Sequence, residues 1–176
     1  MYQRKGETLY NIIFPIWLLI WYPVIWIFVA PVNYVIDLLV TRISLKKLGV
    51  EDYKEKTRWK TMRWVWLLGF AADLIGTILM FVVNMIGSAL DYETAFGRWW
   101  YENLTNAVSY NPFESIWAVL YVAACVAISG LLIYVFNDKI ALRKLGLDEP
   151  IRKRVARNMA IFTAPYLFFL PTMWFY

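Results

Sequence analysis

Apolar positions along this chain gather into four long runs, roughly 12–41, 64–90, 115–137 and 158–176, separated by three polar stretches. A helix needs roughly 20 residues to cross a hydrocarbon layer about 30 Å thick, and each run approaches or exceeds that length. The first and third polar stretches carry nearly the same turn: ISLKKLGV at 43–50 returns as IALRKLGL at 140–147, identical at five of eight positions. An acidic pair follows each copy, Glu51-Asp52 and Asp148-Glu149. The pattern predicts an all-α integral membrane protein with four transmembrane helices, built as two parallel-repeat helical hairpins. Residues 1–176 form a single transmembrane domain, with repeat halves at about 11–90 and 111–176. Upstream of the turns, Asn11, Ile16, Trp17, Tyr34 and Val35 recur 100 residues later, with Asp37 matched by Asn137.

The turn has a mechanism. Leu45, Gly49 and Val50 suit the last turn, the left-handed residue and the apolar closure of a glycine-stopped helix. Leu142, Gly146 and Leu147 repeat the pattern. Asp52 is placed to cap the next helix with Glu55 in a capping box. In the second copy Asp148 or Glu149 caps, and Pro150 sits in the first turn, where its missing donor costs nothing. The first helix is predicted to enter at the interface near 9–16 and run, kinked by its prolines, to about Leu48. Trp17, Trp21, Tyr22 and Trp26 suit an aromatic belt at its outer end. A second helix is expected over 53–90 and a fourth over 158–176, bent by Pro165 and Pro171. Between the hairpins, Phe96, Trp99, Trp100, Leu104, Ala107 and Val108 recur at helical spacing, predicting a short outer interfacial helix.

Charge orients these elements. The stretches 42–63 and 138–157 hold 15 of the 18 Lys and Arg residues, whereas 91–114 holds only Arg98 against Asp91, Glu93, Glu102 and Glu114. Positive charge is retained on the cytoplasmic side, which predicts a multi-pass cell-membrane protein with both basic turns cytoplasmic and both termini outside. The net charge of +5 is thus a topology signal and gives no reason to invoke nucleic acid. Composition agrees: 61% of residues are hydrophobic, above the roughly 45–50% usual for a soluble domain. The chain has no histidine and one cysteine, Cys125, so no cofactor or metal site is expected. Neither HExxH, GxSxG nor a glycine-rich phosphate loop occurs, and no enzymatic activity is expected.

Two acids fall inside predicted hydrocarbon, Asp73 near the midplane and Asp37 nearer the cytoplasmic face. A charged Asp at a helix centre costs about 2.5–3.5 kcal/mol to insert, so Asp73 should be neutral, paired or wet. Asn33 is its expected hydrogen-bond partner, and Arg42 a candidate partner for Asp37. Gly69, Asp73, Gly76, Thr77, Met80, Asn84 and Gly87 follow steps of three and four along the second helix. Two readings of that stripe stay open: a lining for a narrow pathway, or a close-packed helix contact in which small residues admit a neighbouring backbone. Ala123, Ala127, Gly130 and Asn137 make a similar stripe on the third helix, where packing is the simpler reading. Lys46, Lys47, Arg143 and Lys144 are candidate contacts for anionic lipid headgroups. The expected function is an oligomeric channel or transporter-like protein for an ion or small solute, with Asp73 and Asn84 lining a path and Asp37 and Asn33 at its inner mouth. The alternative is a non-catalytic membrane subunit or scaffold that binds a partner membrane protein or anionic lipids.

Overall fold

The computed structural model describes residues 23–175, and within them every regular element is helical. In chain order these are α1 (Pro23–Lys47), α2 (Tyr53–Lys56), α3 (Trp59–Ala89), α4 (Ala95–Trp100), α5 (Ala107–Tyr110), α6 (Ile116–Phe136) and α7 (Glu149–Phe162). The interfacial entry near 9–16 and the aromatic belt at Trp17, Trp21 and Tyr22 lie outside the described residues, as does the side chain of Trp26.

Among the described residues, two helices are long and apolar enough to cross a membrane: α3, and α6 with its continuation to Leu145. At 1.5 Å per residue the 31 residues of α3 reach about 46 Å and the 21 of α6 about 31 Å. They pack on each other along the middle of the molecule, with α1 against α3 and α7, and α7 against α6 and α1. Two apolar clusters result. One, around Leu45, Met62, Val65, Ile133, Leu142 and Met159, fills the end that carries the basic turns. The other, around Met80, Val83, Leu104, Val108, Val122 and Phe168, fills the opposite end.

The first turn closes as its residues dictate. Gly49 takes φ +76°, Gly49 N donates to Lys46 O at 3.2 Å, and Val50 N donates to Leu45 O at 3.1 Å. That is the paired bonding of a Schellman stop. In the second copy Gly146 takes φ +62° and its N donates to Arg143 O at 3.2 Å, but the preceding turn tightens to a 3-10 helix over Leu142–Leu145. Before it, α6 passes into a π-helical turn over Asn137–Ala141. Lys56 Nζ, held by Asp52 at 3.1 Å, donates to Leu145 O at 3.1 Å and so braces one turn against the other.

Three expectations are corrected. The capping box at Asp52 does not form, because its carboxylate is engaged with Lys56 and makes no cap bond. The helix expected over 53–90 is interrupted after one turn at Thr57. The Thr57 hydroxyl donates back to Tyr53 O at 2.8 Å and accepts from Arg42 Nε at 2.9 Å, and α3 restarts at Trp59. The helix expected over 158–176 stops at Phe162. Pro165 and Pro171 each remove a backbone donor, so the chain continues as 3-10 turns over Tyr166–Phe169 and Thr172–Phe175. Glu149 and Pro150 open α7, where Glu149 pairs with Lys153 at 2.6 Å; that ammonium holds the carboxyl below the usual range.

Between α3 and α6 the chain forms a continuous helical stretch over 95–110, with a π-helical segment, Tyr101–Asn106, between α4 and α5. Thr94 caps it by accepting from Gly97 N at 3.0 Å. Leu104, Ala107 and Val108 are buried, Trp100 Nε1 donates to Val83 O at 3.1 Å, and Phe96 and Trp99 remain exposed.

Candidate polar site between α1 and α3

Glycine at position 69 opens the contact between α1 and α3. A Cβ there would lie 3.6 Å from Asp37 Oδ2, so the carboxyl of α1 rests against bare α3 backbone. Asp73 follows one turn later on the same face of α3. Its Oδ1 is buried and has no hydrogen-bond partner among the described residues. Asp37 is 7% exposed. Helix packing thus sets Asp37 against α3 one helical turn from the position of Asp73.

Neither expected partner is found. Asn33 is half-buried and forms no hydrogen bond with Asp73; Asp37, one turn further along α1, occupies the place opposite Gly69. Arg42 does not pair with Asp37, because its guanidinium donates to Thr57. Beside the pair, Trp66 Nε1 donates to Ala30 O at 2.9 Å, next to Pro31, and Tyr34 meets the Trp59 and Trp66 rings edge-on at 4.9 and 6.4 Å.

Further along α3 the stripe is occupied by neighbours. A Cβ on Gly76 would overlap Ser129 Oγ of α6 and stand 2.9 Å from Phe168 Cε2, and one on Gly87 would overlap the Thr105 hydroxyl. Met80 is fully buried between these positions. Thr77 donates to the Asp73 carbonyl at 2.9 Å, and Asn84 Oδ1 accepts from Ser109 Oγ at 3.0 Å while its Nδ2 stays unpartnered. Tyr121 OH donates to Leu79 O across the same interface.

On α6 the contact face is one step away from the expected stripe. Ala123 and Ala127 face outward, whereas Val122, Cys125, Val126, Ser129, Gly130 and Ile133 are buried. Gly130 keeps its expected place in a contact, close to α7: a Cβ there would sit 3.4 Å from Ala160 O and 3.7 Å from Ala164 Cβ. Ala127 is displaced because the α3–α6 contact centres on Ser129 against Gly76, which turns position 127 away.

Sequence reasoning missed a second polar centre at the basic end. Asp138, 1% exposed, pairs with Arg152 Nε at 2.8 Å and Lys139 Nζ at 3.2 Å. Beside it Asn137 is fully buried; its Nδ2 donates to Ile133 O at 2.9 Å and its Oδ1 lacks a partner. Ser44 accepts from Asn158 Nδ2 at 3.0 Å, and Thr41 contacts Met159 Sδ at 3.3 Å, joining α1 to α7. The one legible signal was the alignment of Asn137 with Asp37. Lys46, Lys47, Arg143 and Lys144 are all exposed on the two braced turns, and Lys144 Nζ stands 3.5 Å over the Trp64 ring.

No family model, no curated protein and no solved structure matches the chain at a significant level.

Proposed function

We propose that the chain is a small multi-pass membrane protein that passes an ion or small solute, with Asp37 and Asp73 as its polar intramembrane site. The observation that carries this reading is that two helices each bring an acid to the contact at Gly69: Asp37 buried against it, and Asp73 one turn on with its Oδ1 buried and unpartnered. A structural role alone would be served by apolar residues at lower cost, since each ionised acid at depth is expensive. The membrane setting is supported by α3 and α6, whose side chains mostly face outward although they are apolar, unlike core helices of a soluble domain. The fourth crossing starts in this reading at the end of α7, past Arg157, and continues through the broken segment beyond it. Thr172 Oγ1 there donates to Ser109 O at 2.7 Å, which ties that segment to the return helix. Irregular backbone at such depth is tolerated where protein covers it. The basic turns lie on the cytoplasmic side in this reading, and Lys46, Lys47, Arg143 and Lys144 meet anionic headgroups.

Because Ser129, Phe168 and Thr105 fill the stripe from Gly76 to Gly87, the path follows the α1–α3 side. Asn84 and Thr77 then serve packing. A homo-oligomer supplies the remaining wall. No enzymatic step is part of the proposal. The same filled stripe favours a second reading, a non-catalytic subunit whose outward apolar faces hold a partner membrane protein.

Flux from proteoliposomes of wild type, Asp73→Asn and Asp37→Asn, with oligomeric state measured in mild detergent, separates the two. Altered flux with the assembly intact supports the pathway. A silent monomer that co-purifies with another membrane protein replaces it with the subunit reading. Topology is tested by single cysteines at Glu51, Asp148 and Glu93 in a Cys125→Ser background. The first two should react only from the cytoplasm and the third only from outside; the reverse pattern overturns the orientation.

A further inference from the structure

We infer that Arg63, Trp64 and Lys144 together seat the phosphate of one anionic phospholipid in the leaflet at the basic end. The inference rests on reading the chain as membrane-spanning, and it narrows the headgroup contact of the basic turns to one place.

Two cations from different parts of the chain converge on one indole. Lys144 Nζ, from the second turn, stands 3.5 Å over the Trp64 ring, and Arg63 Cζ, from α3 itself, stands 5.7 Å from the same ring's centroid. Both lie within the reach of about 6 Å over which an aromatic face attracts a cation. Both side chains are exposed, whereas Trp64 is half-buried and packs against the cluster around Leu45 and Met62, so the ring is the fixed part of the arrangement. The paired acids of this end are engaged elsewhere: Asp52 with Lys56, Asp138 with Arg152 and Lys139, Glu149 with Lys153. Neither Arg63 nor Lys144 has an ion pair among the described residues. Like charges gathered on one ring repel, and an anion between them is attracted by both.

Trp64 also differs from two other part-buried indoles. Trp66 Nε1 donates to Ala30 O and Trp100 Nε1 to Val83 O, but Trp64 makes no hydrogen bond among the described residues. The seat therefore offers a guanidinium fork, an ammonium and an indole N–H, all donors and no acceptor, which is the complement of a phosphate.

Depth selects a lipid as the source of that phosphate. Arg63 is the last basic residue before the apolar length of α3, where Asp73 is the only charged residue from Trp64 to Ala89. Tryptophan at such a boundary belongs to the headgroup level, where lipid phosphates lie. Charge selects the kind of lipid. Lys60, one turn before Trp64 on α3, and Arg143, next to Lys144, are exposed and repel the ammonium of a zwitterionic headgroup, while an anionic diester such as phosphatidylglycerol carries none.

The test is native mass spectrometry of the full chain in mild detergent, titrated with phosphatidylglycerol or phosphatidylcholine. Wild type should bind its first phosphatidylglycerol more tightly than its first phosphatidylcholine. Arg63→Gln and Lys144→Gln should each weaken that first phosphatidylglycerol by about fivefold, the loss of one surface cation's attraction. Trp64→Leu should weaken it with both charges in place; if that variant fails to fold, Trp64→Phe, which keeps a ring and loses the N–H, should do the same to a smaller extent. Lys46→Gln with Lys47→Gln removes two cations of the other turn and should leave the first phosphatidylglycerol unchanged. Equal weakening in that double variant overturns the seat in favour of a diffuse basic surface, as does unchanged binding in Trp64→Leu. Displacement of phosphatidylglycerol by excess inorganic phosphate overturns it in favour of a soluble anion. Carbonate washing of the chain from phosphatidylcholine vesicles tests the membrane reading separately: release removes that reading and the seat with it, whereas retention without any preference for phosphatidylglycerol overturns the seat alone.

Discussion

The steric relation between α3 and α6 can be tested with two glycines that the sequence treats alike. Replacing either Gly76 or Gly130 with alanine brings the same gain in helix propensity, about 0.8–1.0 kcal/mol, so that contribution cancels in a comparison. The surroundings differ. At Gly130 the new methyl meets Ala160 O at 3.4 Å and Ala164 Cβ at 3.7 Å, ordinary contact distances. At Gly76 it would overlap Ser129 Oγ and approach Phe168 Cε2 to 2.9 Å. Overpacking of this kind costs about 1–3 kcal/mol. Gly76→Ala should therefore be less stable than Gly130→Ala by about 1–3 kcal/mol. For a chain of this size that corresponds to a melting difference of roughly 2–12 °C. The assay is thermal unfolding of the purified protein in one detergent, followed by near-ultraviolet circular dichroism. Adding Ser129→Ala to Gly76→Ala should recover most of the loss, because it removes the overlapping atom and leaves only a ring edge that can shift. By itself Ser129→Ala should be neutral or stabilising, since it deletes a buried hydroxyl without a partner. Equal melting of the two glycine variants, or no recovery in the double variant, would refute the packing argument.

Other outcomes follow from single contacts. Arg152→Met leaves Asp138 buried with only Lys139 and should cost up to about 3 kcal/mol in chemical unfolding, with Asp138→Asn in the same chain restoring much of it. Trp100→Phe removes the bond to Val83 O and should cost about 1 kcal/mol, read by unfolding and by increased amide exchange at the return helix. Gly49→Ala and Gly146→Ala have open space around the new methyl but positive φ, so each should cost about 1–2 kcal/mol; Gly49→Asn should cost less, a difference that crowding would not produce. The exposed Glu149–Lys153 pair should stabilise α7 at neutral pH. With the Glu149 carboxyl held below its usual range, that contribution is present above the ordinary glutamate pKa and fades as acid protonates it, so Glu149→Gln should show a flatter melting profile below neutral pH than wild type.

The all-helical class and two helices of membrane-crossing length were legible because helical patterns write themselves in one dimension. Run length and proline position need no tertiary information, and glycine at 49 and 146 in matching turns announces two helix stops whose left-handed φ values the structure contains. The helical return over 95–110 was legible for the same reason, from aromatic spacing. What a linear pattern cannot carry is rotation about the helix axis. A shift of one position moves a residue by about 100°, enough to turn Ala127 outward and bring Ser129 inward. Nor does spacing report competition among side chains: Asp52 could cap or pair with Lys56, Arg42 could take Asp37 or Thr57, and only the assembled turns select. The acid pair shows the division most clearly. That Asp37 and Asp73 fall within apolar runs, where Asp73 should be neutral, paired or wet, was read from sequence alone. That Asp37 comes to lie against the α3 backbone was decided by the tertiary structure, because the missing side chain at Gly69 lets α1 approach α3 there.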